Sequence, residues 1–294
     1  MGNWNKGLKA ATIIFMLLPN CLLHAEPIVD DVGRTVNVNV PVKSIVCLSP
    51  GHTEILYELG QQGKIKAISQ QCDYPDETKT IEKAGSFIKP DIEKIIKINP
   101  DVVISGGGIQ KQTIYKLEKL KIPVLVLYPR DIKGIAGDTI TIGRLTGTQD
   151  KAKGFAKKIL DLIPPAGKTA SITVYVELWG SPAMSAGGQS YIDDIIEAAG
   201  GQNIFKSSLS DYPKVSKEEI IKRNPDIILL LYDSEKDYVK RKWFQPVNAG
   251  KNGNIFVFSG KESDVFLRPG PRVEQGIQKI KELINKAKGC KNEK

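Results

Sequence analysis

Ser49, His52 and Glu54 fall within six positions of one another, in the stretch Leu48-Ser-Pro-Gly-His-Thr-Glu54. A hydroxyl, an imidazole and a carboxylate so close could form a hydrolytic centre or begin a metal site. Local geometry argues against hydrolysis. A helix starting near Pro50 makes Ser49 its N-cap and Pro50 its first residue. His52 and Glu54, two residues apart, then point to different faces. No Gly-x-Ser-x-Gly elbow occurs in the chain. A zinc site needs several His or Cys ligands at set spacings, whereas Cys47, Cys72 and Cys290 are scattered and their pairing is left open.

The glycine run Gly106-Gly107-Gly108 follows an apolar segment and precedes a helical pattern. It lacks the Lys and Ser/Thr of a phosphate loop and the spacing of a dinucleotide fingerprint. A turn that brings a bulky ligand close to the backbone fits better. What remains are small, aromatic and polar residues that follow strand-like segments. In the first half these are Pro50, Gly51, His52, Thr53, Asp73, Tyr74, Phe87, Gly106 and Gly107. In the second they are Trp179, Tyr212, Phe266 and Arg268. Ligands bind at such strand ends in open α/β sheets, and an aromatic cleft with few charges suits a large, flat ligand.

Short Val/Ile-rich runs at 44–48, 64–69, 101–105 and 124–128 alternate with amphipathic helical stretches. A second series runs from 171–177 through 226–231 and 255–259 to a terminal helix over 271–288. Such alternation predicts parallel sheets covered by helices. The pattern is helical from 132 to 163, with an interruption at Gly147, until Pro164-Pro165 stops it. The expected architecture is α/β, with two Rossmann-like lobes joined by one long α-helix and a ligand cleft between them. Its divisions are an export segment 1–25, a first lobe 26–140, a helical connection 141–166 and a second lobe 167–294.

The block beginning Glu93-Lys-Ile-Ile-Lys recurs as Glu218-Glu-Ile-Ile-Lys, and seven of twelve positions are identical at a constant offset of 125. Each copy reaches Asn-Pro, where proline pushes the preceding residue out of helical geometry. A duplicated helix-turn-strand unit accounts for both, with Glu93 and Glu218 at equivalent points.

Lys6 and Lys9, the apolar run that follows and Leu23-His24-Ala25 read as a signal peptide cut near Ala25. Cys21 resembles a lipoprotein cysteine only through the leucine three residues before it, so a soluble exported protein is expected over a lipid anchor. Cleavage takes the net charge from +9 to +7. The lysines are spread along helices instead of forming a run, so nucleic acid is not an expected partner. No later stretch is long and apolar enough to cross a bilayer.

The marks Leu48-Ser-Pro-Gly-His-Thr-Glu-Ile55, Cys72-Asp-Tyr-Pro75, Gly200-Gly-Gln-Asn-Ile-Phe205, Tyr212-Pro-Lys-Val-Ser-Lys-Glu218 and Arg268-Pro-Gly-Pro-Arg272 extend across nearly the whole exported chain. With the repeat, they resemble the periplasmic substrate-binding proteins of ABC importers for metal chelates, above all the cobalamin-binding members. The resemblance implies a monomer that binds a small-molecule chelate between its lobes with little closure. It would deliver that ligand to a membrane permease with a cytoplasmic ATPase. No cofactor or catalytic residue is implied. Phe87 and Tyr212 match ligand-stacking aromatics, and Glu93 and Glu218 match acidic residues that dock on permease arginines. A family tryptophan is replaced by Gly106. His52 stands where a small polar residue is common and offers an axial ligand to a chelated metal. Haem and ferric siderophores are the alternative ligands; a tetrapyrrole-modifying enzyme on the same architecture is the more distant reading.

Overall fold

The computed structural model describes residues 24–165, 171–232 and 241–292. The expected signal segment therefore lies outside the described residues up to position 23. An antiparallel hairpin comes first, β1 (His24–Val29) paired with β2 (Thr35–Val40). The first sheet follows, built from β3 (Ile45–Cys47), β4 (Ile65–Ile68), β5 (Glu82–Lys83), β6 (Val102–Ser105) and β7 (Val124–Val126). Its order is β5-β4-β3-β6-β7, and every pair is parallel. Helices α1 (Pro50–Glu58), α2 (Ile92–Ile98) and α3 (Lys111–Lys119) link these strands. Alternate residues serve opposite faces: Ile45 and Cys47 join one buried cluster, Val46 and Leu48 another. A parallel sheet buried on both faces thus explains the unbroken apolar run in the sequence.

The second sheet contains β8 (Thr173–Gly180), β9 (Ala183–Ser185), β10 (Gln202–Asn203), β11 (Ile227–Leu230) and β12 (Ile255–Val257). Its order is β10-β8-β11-β12, with β9 antiparallel to β8. Helices α6 (Tyr191–Ala198), α7 (Lys217–Arg223), α8 (Lys261–Leu267) and α9 (Val273–Asn292) belong to this half. Val174 and Val176 pack on one face, Tyr175 on the other.

The repeat is exact in the backbone. Helices α2 and α7 begin and end 125 residues apart, as do β6 and β11. Asp91 caps α2 by accepting from the Lys94 N–H at 3.0 Å, and Ser216 caps α7 by accepting from the Glu219 N–H at 3.2 Å. Asn99 and Asn224 end them in the left-handed region, at φ 49° and 46°. Asparagine tolerates that conformation better than most side chains, and the following proline prevents continuation.

The connection differs from the single long helix expected. Helix α4 (Ile132–Thr146) ends at Gly147, φ 80°, and α5 (Gln149–Leu160) turns back along it. Both helices span both halves. Ile132 and Ile135 of α4 enter the second lobe's core, while Ile142 and Leu145 enter the first. On α5, Ala152 packs in the first and Ala156 and Ile159 in the second. A two-helix strap whose apolar faces are shared by two cores leaves little freedom for the lobes to swing independently. Among the described residues, no helix is long and apolar enough to cross a membrane.

Candidate functional site

Both sheets present the carboxyl ends of their strands to the seam between the lobes, where open α/β sheets hold ligands. The first lobe contributes the turn after β3, the Asp73 loop, Phe87, the glycines after β6 and Tyr128 after β7. At Gly106 an added Cβ would stand 3.0 Å from the Phe87 ring. Gly107, at φ 83°, faces the Tyr128 ring, which an added Cβ would meet at 3.2 Å. The glycine turn is therefore filled from its own lobe by two aromatic rings, which form one wall. Tyr128 escaped the sequence reading, although it too follows a strand.

The turn that suggested chemistry is a buried joint. Ser49 occupies the N-cap of α1 with extended backbone, but its hydroxyl makes no cap bond. It lies 2.7 Å from His52 Nδ1, and His52 Nε2 lies 2.8 Å from Asp138 Oδ2 on α4. With 1% of its surface exposed and both ring nitrogens occupied, His52 has no free nitrogen for a chelated metal. The expectation that it could serve as an axial ligand is corrected on that ground. Thr53 is equally enclosed, its hydroxyl donating to the Ser49 carbonyl at 3.0 Å and lying 3.2 Å from Cys72 Sγ. Cys47 and Cys72 are free thiols in the same apolar cluster, and burial pushes Cys47 up to about 12. Gly51 touches the other lobe: a Cβ there would stand 2.2 Å from the Pro269 carbonyl oxygen. Pro50, at the first helical position, is half-buried beside it.

Glu54, whose carboxylate the opening motif offered as a possible reactive group, takes part in no such chemistry with His52. It instead forms a two-pronged ion pair across the seam, with Arg272 Nε at 2.8 Å and Nη2 at 2.6 Å. Burial raises its carboxyl, and Arg272 and Arg268 pull in the opposite direction. Arg268 reaches Asp73 at 2.8 Å and Asp264 at 2.9 Å. Tyr74 lies under Arg272, 4.2 Å from ring centre to guanidinium carbon, so its ring serves this joint. Phe266 is 1% exposed in the second lobe's core, 5.3 Å from Phe258. Its backbone carbonyl accepts the Tyr191 hydroxyl at 2.7 Å. The proposed ligand role for Phe266 is corrected accordingly, because helix α8 turns that side chain inward.

The opposite end of the seam has another character. Tyr128 of the first lobe meets Tyr212 and Asp211 of the second through its hydroxyl. Burial, then the Asp211 charge, raises Tyr128. Tyr212 is raised by burial, then by Tyr128 and Asp211. Both phenols therefore stay protonated. Arg130 stands 3.9 Å from Asp211. Further along, Trp179 leaves 57% of its surface exposed and lies 6.3 Å from the Tyr232 ring. Beneath them the buried Glu177 carboxylate accepts from Tyr175, Tyr232 and Arg241. Sequence spacing gave no sign of this cluster, which joins positions 175 to 241. Glu93 and Glu218 lie away from the seam, exposed in the first turns of α2 and α7.

Two Rossmann-like lobes joined by a helical strap and meeting at an aromatic seam have the architecture of a two-lobed solute-binding protein. Residues 45–261 match the family described as periplasmic binding protein, and the chain belongs to that family. It is 25% identical over 256 residues to the vitamin B12-binding protein of Vibrio parahaemolyticus, covering 85% of this chain and 92% of that one. The structure of the periplasmic vitamin B12-binding protein BtuF of Vibrio cholerae superposes with a TM-score of 0.70 at 24% identity, covering 84% of this chain and 98% of BtuF. The periplasmic haem-binding protein RhuT from Roseiflexus gives a TM-score of 0.71 at 20% identity, over 83% of this chain and 98% of RhuT. The relatives are binding proteins, and this chain is a binding protein, not an enzyme.

Proposed function

We propose that the chain binds a corrinoid, cobalamin or a close analogue, in the interlobe cleft and delivers it to the permease of an ABC importer. One observation carries the ligand choice. Three of the described arginines bordering the seam are already held by buried carboxylates, Arg241 by Glu177 and Arg268 and Arg272 by Glu54 and its neighbours, while Arg130 is exposed and stands 3.9 Å from Asp211. The remaining walls are the neutral rings of Phe87, Tyr128, Tyr212 and Trp179. A flat chelate with an uncharged, amide-rich edge suits such walls. A ligand bearing carboxylates calls for free cations, and taking Arg241, Arg268 or Arg272 would strand the buried Glu177 or Glu54. The names of the vitamin B12-binding relatives support the same choice.

Haem or a ferric siderophore is the second reading, favoured by the phenols of Tyr128 and Tyr212, a side-chain type that can ligate iron. Calorimetric titration with cyanocobalamin, cobinamide, haemin and a ferric siderophore separates the two. Submicromolar binding of the corrinoids alone is the expected result, and binding of haemin alone rejects the ligand choice. The chain works as an exported monomer after cleavage near Ala25, which leaves most of β1 in place. Glu93 and Glu218 dock on the permease, whose ATPase drives uptake. Reversing both charges abolishes uptake by cells while purified protein keeps its ligand affinity.

A further inference from the structure

The polar end of the seam carries more than a wall. Tyr128 comes from the loop after β7 and Tyr212 from the loop after β10, each the edge strand of its sheet. Their hydroxyls and the Asp211 carboxylate meet in one strip across the cleft. The Asp211 backbone is pinned, its carbonyl accepting the Gly187 N–H at 2.8 Å. Its side chain is 20% exposed. Tyr128 is braced from behind by Gly107, where an added Cβ would stand 3.2 Å from it. The strip is thus prearranged on two rigid loops, and a ligand entering between the lobes has to replace its internal contacts.

The chemistry of the strip is asymmetric. The phenols are donors that stay protonated, and Asp211 is an acceptor carrying charge. A primary amide satisfies both at once: its carbonyl oxygen accepts from a phenol, and its N–H donates to the carboxylate. A carboxylic acid, ionised at neutral pH, satisfies only the phenols and meets Asp211 as a like charge. Arg130 does not reverse this preference. Its side chain is 62% exposed and stands 3.9 Å from Asp211, so solvent screens it.

We propose that Tyr128, Tyr212 and Asp211 form an amide-reading subsite, which selects a chelate whose edge bears primary amides over the same chelate bearing carboxylates. The inference rests on the corrinoid reading and adds to it the groups that discriminate. Tyr128 and Asp211 are specificity residues that the sequence motifs do not indicate.

The test measures affinities of the full exported chain for cyanocobalamin and for derivatives in which one peripheral propionamide is hydrolysed to the acid, each isomer separately. Wild type prefers the amide over at least one acid isomer by about tenfold or more. Asp211→Asn, nearly isosteric, weakens the amide ligand by about threefold and strengthens that acid isomer by about tenfold. Shifts of opposite sign are beyond a merely structural effect. Tyr128→Phe keeps the ring on Gly107 and weakens the amide ligand by about fivefold. Corrinoid binding with equal affinity for amide and acids, or an Asp211→Asn ratio unchanged from wild type, overturns the subsite and leaves the corrinoid reading intact. An unchanged affinity in Tyr128→Phe overturns it as well. Failure of wild type to bind any corrinoid overturns both.

Discussion

The two ends of the interlobe seam solve the same joining problem with opposite chemistry. At one end Glu54, Arg272, Arg268, Asp73 and Asp264 form a network of close ion pairs, with Gly51 pressed against Pro269 beside it. At the other, two phenols meet a partly exposed carboxylate, with the exposed Arg130 3.9 Å from it. Buried charges cannot be exchanged for a ligand without leaving a partner unpaired in a poorly solvated place. Neutral hydroxyls can, because a ligand oxygen replaces a phenol partner at little net cost. The ionic end therefore behaves as a fixed joint, and the phenolic end as one whose contacts can be exchanged.

That contrast can be broken experimentally. Arg272→Ala leaves Glu54 buried without its main partner and is expected to lower stability by about 3–5 kcal/mol, read by denaturant unfolding. A loss under about 1 kcal/mol would make the joint a surface pair in energetic terms. Gly51→Ala forces a methyl toward the Pro269 carbonyl and should cost about 2 kcal/mol, because backbone must move. At the phenolic end, the double change Tyr128→Phe with Tyr212→Phe should cost at most about 1 kcal/mol of stability and act mainly on ligand affinity. If it destabilises as much as Arg272→Ala, the two ends are equivalent joints and the comparison fails.

The smallest expected effect is a pH dependence. Partial desolvation of the surface carboxylate of Asp31, then the Asp138 charge, raises Asp31 to about 6. A group raised in the folded state contributes stability that is full below its unfolded value and lost as pH rises through the folded one. The thermal midpoint should therefore climb as pH falls from about 7 toward about 4. Asp31→Asn should raise the midpoint near neutrality and flatten that part of the curve. Parallel curves for wild type and variant would remove Asp31 from the account.

Much of the architecture was legible in the chain. The Asn-Pro ends of the repeat set where α2 and α7 stop, and the apolar runs located the strands, since each rests on local backbone preference. The single long connecting helix was not legible as the pair α4 and α5. The interruption at Gly147 was visible, but not that the chain reverses there. The site was read less completely. Phe87, Gly106, Gly107, Trp179 and Tyr212 come at or after strand ends, and their contact with a ligand is part of the proposal, while Phe266 was taken for cleft and belongs to the core. Periodicity in a seven-residue helix cannot tell an inward ring from an outward one.

Sequence alone determined the alternation of strands and helices, the duplicated unit and the positions of the loops that face the seam, all set within a few residues of each feature. Tertiary structure decided what the opening motif does. Ser49-Pro-Gly-His-Thr-Glu54 is a buried joint, in which His52 finds Asp138 86 residues away and Glu54 finds Arg272 218 residues away. Partners at such separations meet only when both sheets have formed and the α4–α5 strap has placed them face to face. Their side chains then acquire roles that no local spacing encodes.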